Sequence, residues 1–250
     1  MPLVIANWKM NLSVAGEKAL ALAYKEKLAN LASEVVVCPS FLSLSEVAGV
    51  LGGSQLRLGC QDVFWQDSGS YTGEVSPKFL SELGCRYAII GHSERRLFLG
   101  ESDEVINKKV LAVLDSGLTP IICIGESSAE RRAGQAHNVV LGQLVAALRD
   151  VDLVASEQMV ISYEPVWAIG TGQVATPAMV GEMLGLIYQT LIDLYPLTIV
   201  KNNARLIYGG SVDADNISSF AAIDLCRGFL VGGASLAADE FYKIVSLVKN

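Results

Sequence analysis

The chain has 250 residues, a formal net charge of −7 and a hydrophobic content of 51%. This length fits one large α/β domain or two small ones, and such a content is enough for a sizeable buried core. An acidic chain has no global field that attracts nucleic acid or an anionic membrane, so we expect neither as a partner. No apolar run reaches the roughly 18 residues of a membrane span, and the start, MPLVIAN, lacks the basic region of a secretory signal.

Eight short apolar runs recur along the chain. They are nearly continuous rather than alternating, which is typical of strands that are covered on both faces. The predicted strands cover residues 3–6, 35–38, 56–60, 87–90, 119–124, 159–163, 205–208 and 225–231.

Helical stretches separate these runs, and several follow a residue that favours the N-cap position. Ser13, Ser102 and Ser127 each precede such a stretch, and Thr176 is followed by proline at the first helical position. The predicted helices cover residues 13–31, 102–115, 127–149 and 176–195, a further one begins at 77, and the last two begin at 213 and at 234–235.

The order of elements is a strand followed by a helix, repeated eight times without a linker or a change of composition. Eight such units in about 250 residues are typical of a (β/α)8 barrel. We therefore predict one barrel domain of eight parallel strands over residues 1–250. The pattern alone leaves a doubly wound open sheet as the alternative.

The cysteines are five in number and far apart, and most lie inside apolar runs. They are Cys38, Cys60, Cys85, Cys123 and Cys226. Metal sites usually show close pairs of ligands, and disulfide frameworks usually show even counts. We therefore expect buried, reduced thiols, no metal ion and a cytoplasmic protein.

Polar residues and glycines collect where the predicted strands end. In chain order they are Asn7, Lys9, Gln61, His92, Glu94, Gly125, Glu126, Glu164, Gly209, Gly210, Ser211, Gly232 and Gly233. Each has an ordinary explanation by itself, such as a solvated lysine, a structural histidine or a glycine turn. In a barrel, however, all these strand ends meet at one rim, which is where the active sites of this fold lie.

The chemistry of this rim favours a phosphorylated small molecule. The glycine turns after strands seven and eight precede short helical stretches, and bare N–H groups at a helix start bind anions. Glu164 is a candidate base, and His92 and Lys9 are candidate donors to a developing oxyanion. A base and oxyanion donors without a nucleophile or a metal cluster suggest proton abstraction next to a carbonyl.

At these positions the chain closely resembles the triosephosphate isomerase family. Seven blocks carry the resemblance, in the family's order and over nearly the whole chain, and the block around Glu164 is highly specific by itself. They are ANWKMN (6–11), YTGEVS (71–76), GHSERR (91–96), CIGE (123–126), YEPVWAIGTG (163–172), YGGSV (208–212) and LVGGASL (230–236).

The resemblance implies an aldose–ketose isomerase without a cofactor that acts on a triose phosphate, in glycolysis and gluconeogenesis. Glu164 would be the general base, and His92 a neutral electrophile that polarises the carbonyl. The helix start at Ser93 supplies a reason, since its positive dipole end disfavours an imidazolium. Lys9 and Asn7 would hold the substrate and the charge of the enediolate.

The resemblance also implies supporting roles. Glu94 would orient Lys9, and the backbone of Gly170, Ser211, Gly232 and Gly233 would hold the phosphate. A lid over residues 166–172 would close the site, with Tyr163 stabilising its open form and Glu126 accepting the Trp167 indole N–H in its closed form. Tyr208 is a further supporting residue.

The resemblance further implies a homodimer. The loop over residues 62–76 carries Phe64, Trp65 and Tyr71, an apolar load that is costly to leave in water. Its tip, with Thr72, Gly73 and Glu74, would reach into a partner subunit. The alternative is a loop that folds over its own barrel.

Two residues depart from the family's pattern. Asp62 stands where the family usually has Asn, and Arg227 stands where a small or acidic residue is commoner. Neither touches the proposed chemistry, but a buried Asp62 would need a cation, for which Arg95 and Arg86 are candidates. Two other functions stay open: a phosphosugar-binding barrel without turnover, and another barrel lyase or synthase.

Overall fold

The computed structural model describes residues 1–29, 32–153, 159–168 and 175–248. Within these ranges eight parallel strands form one closed barrel in chain order. They are β1 (Leu3–Asn7), β2 (Glu34–Cys38), β3 (Arg57–Cys60), β4 (Cys85–Ile90), β5 (Thr119–Ile124), β6 (Met159–Tyr163), β7 (Ala204–Tyr208) and β8 (Gly228–Val231). Because β1 pairs with both β2 and β8, the sheet has no edge. The predicted (β/α)8 barrel is confirmed, and the open sheet is excluded.

The helices surround this barrel. They are α1 (Val14–Lys27), α2 (Leu44–Leu51), α3 (Pro77–Glu82), α4 (Ser93–Leu99), α5 (Asp103–Asp115), α6 (Ser128–Arg132), α7 (Ala136–Ala147), α8 (Pro177–Leu194), α9 (Leu197–Asn203), α10 (Ile217–Ala221) and α11 (Ala238–Leu247). Short 3-10 helices cover Phe41–Ser43, Val166–Ala168 and Gly233–Leu236. None of the helices in the described part of the chain is long and apolar enough to cross a membrane.

The predicted N-caps are found where helices begin. The predicted caps Ser13, Ser102, Ser127 and Thr176 each accept a hydrogen bond from the backbone N–H at the third helical position, and so does Ser76, which was not predicted as a cap. Each bond satisfies one of the N–H groups that a helix start leaves without a partner inside the helix. These side chains therefore fix where the helices leave the rim.

Two apolar layers hold the fold together. Inside the barrel, side chains from the strands form one buried cluster; outside it, the other strand faces pack against the helices in a larger cluster. The inner cluster consists of Leu3, Ile5, Val36, Cys38, Tyr87, Ile89, Ile121, Cys123, Val160, Ile207 and Leu230. Because both faces of each strand are buried, the runs read as continuously apolar in the sequence.

Two predicted elements are wrong in extent. The single helix expected over residues 127–149 is two helices, because Gly134 lies in the left-handed region at φ 72° and ends α6. Strand eight begins at Gly228 rather than at Leu225, since the Cys226 N–H donates to the Ile223 carbonyl in a turn. Arg227 is exposed and lies outside the strand.

The helix ends also differ from the prediction. The first helix ends at Lys27, before residue 31. The helix expected at Asp213 begins at Ile217, because the Asp213 carboxylate accepts two backbone N–H groups in the turn before it. The stretch expected at residues 234–235 is the 3-10 helix Gly233–Leu236, and α11 follows it.

Candidate active site

A cavity of about 510 Å³ opens at the C-terminal end of the barrel. The loops after β1, β4, β7 and β8 form its wall, so it brings together predicted residues from distant parts of the chain. Its lining includes Asn7, Lys9, Asn11, His92, Glu94, Gly209, Gly210, Ser211, Gly232 and Gly233. The parallel strands produce this convergence, because they all end at the same rim.

Glu164 lies directly after β6, beside this cavity, and only 1% of its surface is exposed. Its backbone N–H donates to the Ile124 carbonyl at 2.8 Å. Among the described residues, neither carboxylate oxygen has a hydrogen-bond partner. Such a buried acceptor is costly to leave unpaired. A substrate proton is the kind of partner that this carboxylate lacks.

Two glycines make room for Glu164. A Cβ atom added at Gly125 would lie 1.7 Å from the Glu164 carbonyl oxygen. One added at Gly209 would lie 2.7 Å from its Cγ atom and 2.5 Å from the Ser162 hydroxyl oxygen. The neighbouring loops can approach the carboxylate only because they lack side chains at these points.

His92 is both the N-cap of α4 and a lining residue of the cavity. Its Nδ1 atom accepts the backbone N–H of Glu94 at 3.3 Å, so Nδ1 carries no proton. In the neutral ring the proton is then on Nε2, which lies 3.9 Å from the Glu164 carboxylate. The helix start therefore selects the tautomer that presents an N–H to the cavity.

We expect nitrogen NMR of the labelled protein at neutral pH to show this tautomer of His92, with Nε2 protonated and Nδ1 bare. The reason is that the Glu94 N–H occupies the Nδ1 lone pair. His137 serves as the reference, because it is half exposed and lies 3.4 Å from Glu182 on the outer surface. A proton on Nδ1 of His92, or on both of its nitrogens, would contradict the assignment.

Lys9 is held at three points. Its backbone lies in the left-handed region at φ 53°, which is strained for a residue with a side chain. Its N–H donates to the Asn7 side-chain oxygen at 3.1 Å, and its carbonyl accepts from the Gln61 amide at 2.9 Å. Its ammonium group lies 2.6 Å from the Glu94 carboxylate. These contacts aim a cation into the cavity next to His92.

The glycine turns after β7 and β8 form the opposite wall. Gly232 lies at the start of a 3-10 helix, and a Cβ added there would be 3.4 Å from Cε of Lys9. Ser211 donates its hydroxyl to the Ala168 carbonyl at 2.5 Å, and Gly233 is exposed. The Gly232 backbone therefore lies close to the Lys9 side chain, and a glycine turn next to a cation suits an anionic group. Gly170 lies outside the described residues.

The start of the expected lid packs on Glu126. Trp167 donates its indole N–H to the Glu126 carboxylate at 2.7 Å, which is the contact expected of a closed lid. Tyr163 and Arg131 also donate to this carboxylate, and the Arg131 guanidinium lies 4.9 Å from the Trp167 ring centre. Residues 169–172 of the expected lid lie outside the described residues.

Two further groups lie near Glu164 and its neighbours. The Tyr208 hydroxyl is buried without a partner in the described ranges, and burial raises its pKa. A Cβ at Gly210 would lie 2.1 Å from this hydroxyl.

The Cys123 thiol was not predicted to take part; burial, and then the charge of Glu164, raises its pKa well above the usual value. The CIGE block begins with Cys123 but assigns it no role, since only the barrel brings it to Glu164.

The fold is a closed (β/α)8 barrel, and a polar cavity, a buried carboxylate and a histidine lie at the C-terminal ends of its strands. These features are typical of the enzymes that have this fold. The sequence model of the triosephosphate isomerase family matches residues 2–248. The triosephosphate isomerases of Caldanaerobacter subterraneus and Chloroflexus aurantiacus are 45% and 46% identical to this chain, each over 98% of both chains. That of Thermoanaerobacter pseudethanolicus is 44% identical over the same shares. The chain belongs to the triosephosphate isomerase family.

Proposed function

We propose that this chain is a triosephosphate isomerase, which interconverts dihydroxyacetone phosphate and D-glyceraldehyde 3-phosphate through an enediolate, in glycolysis and gluconeogenesis. The observation that carries the proposal is the pair of Glu164 and His92. A buried carboxylate without a partner in the described ranges lies 3.9 Å from an imidazole nitrogen that carries a proton. A base beside the cavity, next to an acid that lines it, suits proton transfer between neighbouring carbons.

In the forward direction Glu164 removes the proton from the carbon beside the carbonyl. The electron pair of that C–H bond moves toward the carbonyl oxygen, which becomes negative. His92 donates its Nε2 proton to this oxygen and regains a proton from the hydroxyl group on the carbon that Glu164 deprotonated, so that this carbon becomes the new carbonyl. Glu164 returns its proton to the former carbonyl carbon. Each proton has a named acceptor, so the sequence of steps consumes no oxidant or reductant and needs no cofactor.

The charges of the cavity support the same reaction. The Lys9 ammonium, fixed by Glu94, offsets the negative charge on the enediolate oxygens, and Asn7 adds a polar side chain. The phosphate is held by the N–H groups of the turns at Ser211, Gly232 and Gly233, with Gly170 from the lid. The anion is thus bound by local groups although the chain carries a net charge of −7.

A coupled assay of the two triose phosphates without added cofactor tests the proposal. We expect turnover in both directions. Purified protein that binds triose phosphate but does not turn it over would support the alternative, a phosphosugar-binding barrel. Phosphate binding alone requires neither Glu164 nor His92, and their juxtaposition favours the enzyme.

We further propose a single barrel domain that assembles as a homodimer in the cytoplasm. The loop over residues 62–76 packs its aromatic rings on one another: the ring centre of Phe64 lies 4.0 Å from that of Trp65 and 4.6 Å from that of Tyr71, both pairs being tilted. Its tip is exposed, and so are apolar residues that follow the ends of β1, β2 and β4. They are Met10, Leu42, Leu97, Phe98 and Leu99, of which Met10 is 94% exposed. A second copy of the chain would cover this surface.

We expect Thr72→Arg to weaken dimerisation strongly and to lower activity with it. Thr72 is exposed at the loop tip, and a twofold interface would place the added charge in it twice. The measurement is light scattering at micromolar concentration, followed by the coupled assay on the same sample. Ser218→Arg, at an exposed position on α10, is the matched control and should stay dimeric. A fully active monomer would overturn the proposed dependence on assembly.

A further inference from the structure

Asp62 belongs to a closed ring of four charged side chains behind the rim. Lys109 of α5 donates to both Asp62 oxygens, at 2.7 and 2.8 Å, and Arg95 of α4 lies 2.8 Å from one of them. Glu101, between α4 and α5, accepts from the same two cations, at 2.7 Å from Arg95. The ring therefore ties the loop after β3 to both helices. Arg95 was a predicted partner of Asp62; Lys109 was not, and Arg86 is not among the groups that contact it.

The ring is largely removed from water. Asp62 is 4% exposed and Lys109 is 2% exposed. Burial raises the pKa of Asp62 to about 6, with Glu101 acting in the same direction and Lys109 and Arg95 acting against it. Within the described ranges the Cys60 thiol of β3 also faces Asp62. Its pKa is raised by a hydrogen bond to Cys85, by burial and by neighbouring charges that include Asp62. The ionised form of Asp62 thus depends on its two cations.

The ring is also connected to Lys9 by two short paths. Gln61, the residue before Asp62, donates its amide to the Lys9 carbonyl at 2.9 Å and to the Cys38 carbonyl at 3.0 Å. Glu94, the residue before Arg95, accepts from the Lys9 ammonium at 2.6 Å. Gln61 thus holds the backbone of Lys9, and Glu94 holds its ammonium group. Because Asp62 and Arg95 directly follow these two residues, the ion pair between them links both contacts.

We propose that Asp62 is a positioning residue for Lys9: its ionised carboxylate, held by Lys109, fixes α4 relative to the loop after β3 and so keeps the Lys9 ammonium placed for the anionic substrate. The inference rests on the proposed function and deepens it. Protonation of Asp62 removes the negative charge that attracts both cations, while Glu101 still accepts from them.

The contribution of Asp62 to stability depends on pH. Burial holds the pKa of Asp62 in the folded state at about 6, above its ordinary value of 3.8. Asp62 therefore contributes stability that is fully present below pH 3.8 and is lost as the pH rises through about 6. Ionisation of Asp62 also forms the charged ring. As the pH rises through about 6, the free energy of unfolding therefore falls while Lys9 becomes fixed in position.

Asp62→Asn tests the inference through the ratio of kcat/KM between the unaltered chain and the variant, measured from about pH 5 to about pH 8. The phosphate of the substrate titrates in this range, but it does so equally for both proteins and cancels in the ratio. We expect a ratio near one at the acid end that rises to roughly three- to tenfold above about pH 6, mostly through KM. A ratio near one at every pH, or a change confined to kcat, would overturn the inference. A ratio raised equally at every pH would mean that Asp62 stays ionised throughout and would support its role in placing Lys9.

The matched control is Glu104→Gln, which removes one carboxylate from the same helix as Lys109. Glu104 forms an exposed ion pair with Lys108 and takes no part in the ring. The ratio of kcat/KM between the unaltered chain and Glu104→Gln should be near one at every pH. Asp62→Glu restores the charge, and we expect it to recover part of the dependence on pH; a Glu variant that behaves like the Asn variant would count against the inference.

A second measurement keeps the inference testable if Asp62→Asn does not fold and if no turnover is found. Sulfate, which does not titrate here, is the probe, and its binding to the unaltered chain is measured by calorimetry. Protonation of side chains ordinarily strengthens anion binding; release of Lys9 by protonated Asp62 would weaken it. Weaker binding at about pH 5 than at about pH 7.5 supports the inference, and equal or tighter binding overturns it. Absence of isomerase activity in the coupled assay contradicts only the proposed function.

Discussion

Shortening Glu164 to aspartate is expected to lower kcat/KM by roughly 10²-fold. The carboxylate is kept, but it is withdrawn by about 1 Å, and a displacement of that size from the reacting carbon can cost about this much. The packing around Glu164 prevents compensation, because Gly125 and Gly209 approach it closely and its backbone is tied to Ile124. The coupled assay gives the result, with kcat and KM determined separately.

The control for this change is Glu182→Asp on α8. Glu182 is exposed, lies 3.4 Å from His137 and does not line the cavity, so the same deletion of one methylene should leave activity unchanged. Near-normal kcat/KM in Glu164→Asp, with the control also normal, would exclude Glu164 as the essential base. The thermal unfolding midpoint of the variant should stay close to that of the unaltered chain, because no side chain loses a partner in the described ranges.

The second large effect is expected from Gly209→Ala. The added methyl group would lie 2.5 Å from the Ser162 hydroxyl and 2.7 Å from Cγ of Glu164, so one of them must move. We expect kcat/KM to fall on the order of 10²-fold with the displaced carboxylate. Overpacking should also lower the free energy of unfolding by about 1–3 kcal/mol.

Gly185→Ala separates the effect of the site from that of a glycine substitution in general. Gly185 lies within α8, and a Cβ there has nothing within 4 Å. Alanine should stabilise that helix by up to about 1 kcal/mol and leave activity intact. If Gly209→Ala kept full kcat/KM, the close approach of this glycine to Glu164 would have no bearing on catalysis.

The sequence predicts most of this fold because the barrel buries each strand on both faces. Continuous apolar runs and serine or threonine caps are local signals, and they place seven of the strands closely. Strand eight is the exception, since Leu225 is apolar but lies in a turn outside the sheet. The break between α6 and α7 depends on the backbone angle of Gly134, which its neighbours in the sequence do not specify.

The site is predictable in its members but not in its geometry. Strand ends mark Lys9, His92 and Glu164, because parallel strands must bring their ends together. The tautomer of His92 depends on a single hydrogen bond, and the room around Glu164 depends on the absence of a methyl group at Gly209. Such details come from tertiary contacts, to which a single sequence gives no direct access.

Glu126 has a consequence for the energy of opening the site. Its buried carboxylate accepts from Trp167, Tyr163 and Arg131 at once. Leaving a buried acceptor without a donor usually costs about 1–3 kcal/mol. If Trp167 moves away when the proposed lid opens, Glu126 keeps two donors, one of them charged. Its carboxylate would then not be left unpaired, so this penalty does not hold the proposed lid shut.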